Sequence, residues 1–177
     1  MEPSVAYTNR EPEMPSSTPA KEMRANRILI ADDNEANREL VDAYLAGAKT
    51  QYEVEFAVDG QDTLDKAASF KPDLILLDVM MPRLSGFEVC QRLKADAATR
   101  KIMILMVTAL NELGDIDRGV NAGTDDFLTK PVNKSELLKR VDNMLKFKDV
   151  TDENERLRRY IEGMEDGQGP EGPSPKA

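Results

Sequence analysis

The apolar positions of this chain fall into two periods. Short unbroken runs lie at 28–31 (Ile28, Leu29, Ile30, Ala31, in a strand read over 27–31), at 74–77 (Leu74, Ile75, Leu76, Leu77) and at 102–107. Runs this short and this uniformly apolar predict strands buried on both faces, as in a parallel sheet. Two more strands are read at 52–58 and 125–129. The stretches between carry apolar residues at helical spacing. One helix is expected over 35–48, with Leu40, Ala43, Tyr44 and Leu45 toward the core. Asp59-Gly60 reads as a turn, followed by a helix over 61–70 with Leu64, Ala67 and Ala68 on one face. Phe87, Cys90 and Leu93 mark the inner face of a helix over 87–96. A fourth helix, over 111–122, stops at Gly123. The last is capped by Asn133 or Ser135 and carries Leu137, Leu138, Val141, Met144 and Leu145.

Five β–α units in strict alternation make this an α/β chain: a doubly wound (βα)5 fold, with a five-stranded parallel sheet and helices on both faces. The flavodoxin-like strand order 2-1-3-4-5 is favoured by analogy with folds of that size. The unit spans 27–148. Residues 1–26 and 166–177 hold seven of the ten prolines and no apolar periodicity, so both read as disordered tails. The other three prolines are Pro72, Pro82 and Pro131. Beyond 148 a helical pattern continues to about 165. Val150, Leu157, Ile161 and Met164 are spaced for a seam of period 3.5, with Asn154 in the intervening slot. That is a candidate short coiled coil for a homodimer, or else a solvated extension of the helix. No DNA-binding module or second catalytic domain follows, so a stand-alone unit is expected.

Charge and composition narrow the function. A net charge of −9 argues against non-specific binding to nucleic acid or to an anionic membrane. No apolar stretch approaches the roughly 20 residues that span a bilayer. The first 27 residues lack the apolar core of a signal peptide, and a cytoplasmic protein is expected. There is one cysteine and no histidine. Disulfide and cysteine–zinc chemistry are therefore out, and any phosphohistidine must come from a partner.

The candidate chemistry lies where the strands end. Asp32-Asp33, Asp78, Thr108 and Lys130 each follow the apolar run of a different strand, and in an open α/β sheet that carboxyl edge is where ligands bind. Three converging carboxylates repel one another unless paired. A divalent cation such as Mg²⁺ is the natural remedy, because it takes hard oxygen ligands. Lys130 adds a second positive charge. A carboxylate held between a metal and an ammonium suits attack on a phosphoryl group, giving an aspartyl phosphate. Thr108 has a hydroxyl to donate to a phosphoryl oxygen. Taken singly, each residue has an ordinary reading: Asp33 or Asn34 as a helix cap, Thr108 as a β-branched strand end, Lys130 as a surface lysine. Cys90 reads as a small buried hydrophobe, and Met80-Met81 as loop packing.

In these residues the chain resembles the receiver domain of two-component response regulators. The resemblance is carried by Ile28-Leu-Ile-Ala-Asp-Asp33, by Asp73-Leu-Ile-Leu-Leu-Asp-Val-Met-Met-Pro82 with Ser85-Gly86, by Val107-Thr-Ala109, by Gly123 and by Phe127-Leu-Thr-Lys-Pro131. It implies that Asp78 is the phosphoacceptor. It implies that Asp33, Asp78 and the backbone carbonyl of Met80 ligate Mg²⁺, with Asp32 acting through water. Thr108 and Lys130 would bind the phosphoryl group, and Phe127 would turn inward with Thr108 in a switch. Phe127 has no hydroxyl, so a signal that needs a phenol hydrogen bond has no donor here. A cis bond is implied before Pro131. Met80 and Leu110, both apolar, would stand where the family tunes access of the hydrolytic water, implying a long-lived phosphoryl group.

The implied donor is a histidine kinase or a histidine phosphotransfer protein. The implied output is protein–protein contact through the face formed by helix 111–122, strand 125–129 and the last helix. The reading is thus a signalling switch rather than an enzyme, beyond self-catalysed phosphoryl transfer and loss. Two alternatives within it are a phosphorelay intermediate and a phosphorylation-independent scaffold. A Mg²⁺-dependent phosphatase with an aspartyl nucleophile would need a second acid shortly after Asp78, and Met80 stands in that slot.

Overall fold

The structure, a computed structural model, describes residues 24–109 and 113–165. Five strands, β1 (Asn26–Ala31), β2 (Tyr52–Ala57), β3 (Leu74–Asp78), β4 (Met103–Thr108) and β5 (Asp126–Thr129), form one sheet. It is parallel, in the order β2-β1-β3-β4-β5. The helices are α1 (Glu35–Ala46), α2 (Gly60–Phe70), α3 (Gly86–Ala95), α4 (Leu113–Ala122) and α5 (Lys134–Glu165). Fold class and strand order are those expected from the sequence.

Side chains alternate along each strand, so the sheet feeds two cores. Leu29, Ile75, Leu77, Ile104 and Met106 face α2, α3 and α4. Ile28, Ile30, Leu74, Leu76, Leu105 and Val107 face α1 and α5. Every residue of β3 is buried, which is why 74–77 shows no polar alternation. Burying each Leu or Ile contributes roughly 1.5–3 kcal/mol.

Local signals set the helix starts. Asn34 caps α1 by accepting from Ala36 and Asn37 N–H. Ser85 and Glu88 close a reciprocal capping box on α3. Gly123, at φ +88°, follows α4 in the left-handed region that glycine enters without strain. Three expectations are corrected, and the choice of cap for α5 is decided. Asp59 is not a turn residue but the cap of α2, accepting from Asp62 N–H at 2.8 Å, and Gly60 is already helical. Asn133 caps α5 through Glu136 N–H, while Ser135 lies inside the helix. Leu40 is 45% exposed, and Val41 takes its place in the core. Ala43 and Ala68 are exposed.

β1 begins one residue early, at Asn26. Arg24 is held 2.9 Å from Asp73. Asp73 is buried at the amino edge of the sheet, where it also accepts from Arg27 N–H and from Lys148 near the middle of α5, each at 2.9 Å. α5 runs without a break to Glu165. The tails 1–23 and 166–177 lie outside the described residues, as do the side chains of Val150, Asn154, Leu157, Ile161 and Met164. Among the described residues, no helix is long and apolar enough to cross a membrane.

Cys90 is fully buried, its thiol donating to Ala122 C=O. Burial pushes this thiol up to about 11, and a protonated thiol is a poor nucleophile. The folded chain is therefore expected to resist a disulfide reagent at pH 8, with one thiol reacting only in denaturant. Prompt reaction without denaturant would mean that the helix packing around Cys90 opens readily.

Candidate functional site

Strand register places the site. Ala31 pairs with Leu77, and Asp78 pairs with Val107. Asp32 and Asp78 thus lie side by side, one residue past the apolar core of adjacent strands. Thr108 pairs with Thr129, and Lys130 follows immediately, its N–H donating to Thr108 C=O at 2.8 Å. All of these residues stand at the carboxyl edge of the sheet, as the sequence pattern implied.

Asp32, Asp33 and Asp78 each present a carboxylate oxygen, all within 4.8 Å of one another. Asp32 and Asp78 are buried, and Asp33 is exposed. Lys130 bridges the buried pair, with its ammonium 2.8 Å from Asp32 Oδ2 and 3.2 Å from Asp78 Oδ2. Among the described ion pairs, Lys130 is the one cation on these three carboxylates, which leaves the cluster short of positive charge. Burial raises the Asp78 carboxyl above its usual value; Lys130 opposes that rise and Asp32 adds to it. For Lys130, burial works against the charged form, but hydrogen bonding and attraction to Asp32 and Asp78 outweigh it, and its basicity rises. A cluster of hard oxygens carrying this charge deficit fits a divalent cation.

Thr108 and Phe127 both line a cavity of 180 Å³ beside Phe87, Asp115 and Ile116. The Phe127 ring is half-buried against α4 at Gly119. A Cβ on Gly119 would fall 2.3 Å from the ring. The Lys130–Pro131 peptide is cis. Met80 follows Asp78 in the loop, its side chain 69% exposed and its N–H 3.4 Å from Asp78 Oδ1. Leu110 lies outside the described residues.

Sequence reading missed Asn37, whose side-chain amide reaches both oxygens of Asp32 at 3.2 and 3.1 Å. It also missed the Arg38 guanidinium, which donates to Asp32 C=O at 2.7 Å. A polar residue in the first turn of a helix looks like surface, and only its distance of five residues from Asp32 hinted otherwise. Gly119 was equally invisible, because nothing in its neighbours announces the ring above it.

The family described as the response regulator receiver domain matches residues 28–142. The chain belongs to that family. Among curated relatives, the response regulator PleD of Caulobacter vibrioides is 48% identical over 127 residues, which cover 72% of this chain and 28% of PleD. The DNA-binding dual master transcriptional regulator RpaA of Synechocystis is 46% identical over 120 residues, 68% of this chain and 49% of RpaA. This receiver therefore matches between about a quarter and a half of each of those proteins. Solved receivers align over nearly their whole length. A CheY-like receiver domain protein from Methanospirillum hungatei has a TM-score of 0.67 at 28% identity, covering 72% of this chain and 99% of its own. The chemotaxis protein CheY4 of Vibrio cholerae has a TM-score of 0.64 at 32% identity, covering 68% and 99%.

Proposed function

We propose that this receiver accepts a phosphoryl group on Asp78 from the phosphohistidine of a histidine kinase or histidine phosphotransfer protein. The observation that carries the reading is the Lys130 ammonium set between Asp32 and Asp78 at the sheet edge. An Asp78 carboxylate oxygen forms the new O–P bond as the P–N bond to the donor imidazole breaks, and the imidazole leaves with a proton. Burial keeps competing water from Asp78. Lys130 balances the charge of the phosphoryl oxygens, and the Thr108 hydroxyl donates to one of them. Asp33, Asp78 and the Met80 carbonyl would hold Mg²⁺, with Asp32 acting through water. When bound, the ion neutralises phosphoryl charge and fixes its orientation.

The response then leaves through the face of α4, β5 and α5. Thr108 and Phe127 share one cavity, so movement of the hydroxyl toward the phosphoryl group opens room for the ring. The apolar Met80 and Leu110 leave hydrolytic water without a polar guide, which favours a long-lived phosphoryl group. Residues 27–148 are the receiver, in a cytoplasmic protein. Residues 149–165 extend α5 toward a homodimer seam carried by the period-3.5 pattern, and no nucleic acid or membrane contact is invoked.

Intact mass after treatment with acetyl phosphate and Mg²⁺ tests this. One phosphoryl adduct is expected, absent from Asp78→Asn and from a sample with EDTA. No adduct from acetyl phosphate or from a phosphohistidine donor would sink the reading.

A further inference from the structure

Asp32 is held more tightly than its neighbours. Oδ1 accepts from Asn34 N–H at 2.9 Å and Oδ2 from Lys130 Nζ at 2.8 Å. The Asn37 amide then spans both oxygens. A carboxylate has no hydrogen to give, so the group facing it must be the amide NH₂. With three donors on two oxygens, the carboxylate has little freedom to rotate. Its backbone is fixed separately, by Arg38 on the Asp32 carbonyl. Asp33 and Asp78 carry no comparable clamp from α1 among the described hydrogen bonds.

We propose that Asn37 is a positioning residue that fixes the orientation of the Asp32 carboxylate and occupies lone pairs on both its oxygens, and thereby sets the preference of the acidic cluster for Mg²⁺ over Ca²⁺. The inference rests on the reading that this cluster binds a divalent cation. The physical basis is the difference between the two ions. Mg²⁺ is small, insists on octahedral geometry, keeps several of its waters and uses one or two carboxylates. Ca²⁺ takes six to eight oxygens in a flexible shell and gains from each added carboxylate. A third carboxylate with open lone pairs beside Asp33 and Asp78 would reward Ca²⁺ far more than Mg²⁺. Asn37 withholds those lone pairs. Without the amide, each Asp32 oxygen keeps one donor and regains an open lone pair.

The side chain can be changed without removing the helix cap, because the bond to the Asn34 side chain comes from the Asn37 backbone N–H. Asn37 borders a cavity of 280 Å³ that is also lined by Leu40, Val41, Tyr44, Pro131 and Val132. Asp32, Asp78 and Lys130 line the same cavity, so Asn37→Leu, which fills the space of the amide, is read beside Asn37→Ala, which leaves it open. Calorimetric titration of the full chain with MgCl₂ and with CaCl₂, for wild type, Asn37→Leu, Asn37→Ala and Asn37→Gln, reads the preference directly. In Asn37→Leu the Ca²⁺ Kd should fall about fivefold while the Mg²⁺ Kd moves less than about twofold. Asn37→Ala should behave alike, and Asn37→Gln, which keeps the amide, should return toward wild type. A merely structural asparagine would weaken both ions by the same factor. An unchanged Mg²⁺-to-Ca²⁺ ratio in either donorless variant, folded by circular dichroism, overturns the proposal. A wild-type chain that binds neither ion overturns the metal-site reading itself, and with it this inference.

Discussion

Replacing Asp73 by alanine should cost about 3 kcal/mol of folding stability, read as a lower urea midpoint at pH 7. The carboxylate is buried and accepts three hydrogen bonds from two distant parts of the chain: from Arg24 and the Arg27 backbone N–H at the start of the sheet, and from Lys148 in α5. Its own backbone joins β1 and β4, through Asp73 N–H to Arg27 C=O at 2.8 Å and Met103 N–H to Asp73 C=O at 3.1 Å. Alanine keeps those backbone bonds and removes the acceptor. The Arg27 N–H then loses this acceptor, and Lys148, one-fifth exposed, loses its ion pair with the buried carboxylate. Arg24 contributes less, because it is half exposed and water can replace the lost contact. Against a total of about 5–15 kcal/mol, the loss is large. Asp73→Asn, which keeps one acceptor oxygen, should cost about half as much. A loss below about 0.5 kcal/mol for alanine would mean that the N-terminal and α5 attachments at this carboxylate are incidental.

The same carboxylate gives an acid limb to stability. Burial pushes Asp73 up, but the Arg27 N–H and the Lys148 and Arg24 bonds outweigh it, and the carboxyl lies below its usual value. A carboxyl lowered by folding stabilises the native state above its unfolded value, near 3.9, and loses that contribution as pH falls through the folded value. Wild type should therefore lose urea resistance on acidification below about pH 4 more steeply than Asp73→Asn, whose residue 73 does not titrate.

The parts of this molecule that were legible in the sequence are those fixed by burial on both sides or by position at a strand end. β3 and β4 sit inside a parallel sheet, so 74–77 and 103–107 had to be apolar throughout, and Asp32, Asp78, Thr108 and Lys130 were placed by where such runs stop. What escaped was decided between elements. α1 offers Leu40, Val41, Tyr44 and Leu45, a stripe wider than its contact. Packing against the β1–β3 face and α5 chose Val41 and Leu45, and left Leu40 on the rim of the cavity beside Asn37. The exposed alanines Ala43 and Ala68 show the same limit, since a methyl group fits either side. The role of Asp73 was not legible. Its three donors come from residues 24, 27 and 148, and no local pattern brings those together. Asp59 was misread because Asp-Gly starts turns and helices alike.

Gly86→Ala should slow phosphorylation of Asp78 by ten- to a hundredfold, at a stability cost of about 1–2 kcal/mol. Gly86 is the first residue of α3, and its N–H donates to Val79 C=O at 2.9 Å. A Cβ there would stand 2.3 Å from the Asp78 carbonyl oxygen and 2.9 Å from Val79 Cα. Both atoms are backbone, so no side chain can turn aside. β3 cannot retreat, because β1 and β4 hold it at Leu77 and Asp78. Either α3 lifts or the Asp78–Val79 peptide rotates, and both displace the carboxylate proposed as phosphoacceptor and the Met80 loop. Better helix propensity recovers up to about 1 kcal/mol, which is why the effect on rate should exceed the effect on stability. Gly119→Ala is the matched control. Its Cβ would meet the Phe127 ring at 2.3 and 2.5 Å, but that is the far end of a side chain that can swing outward. Its phosphorylation rate should stay within about threefold of wild type, because Asp78, Lys130 and their backbone are untouched. Rates of adduct formation with acetyl phosphate, followed by intact mass for both variants, separate the two cases. If Gly86→Ala reacts at the rate of Gly119→Ala, the close approach at residue 86 does not set the position of Asp78, and the capping box of α3 together with the strand register must hold it instead.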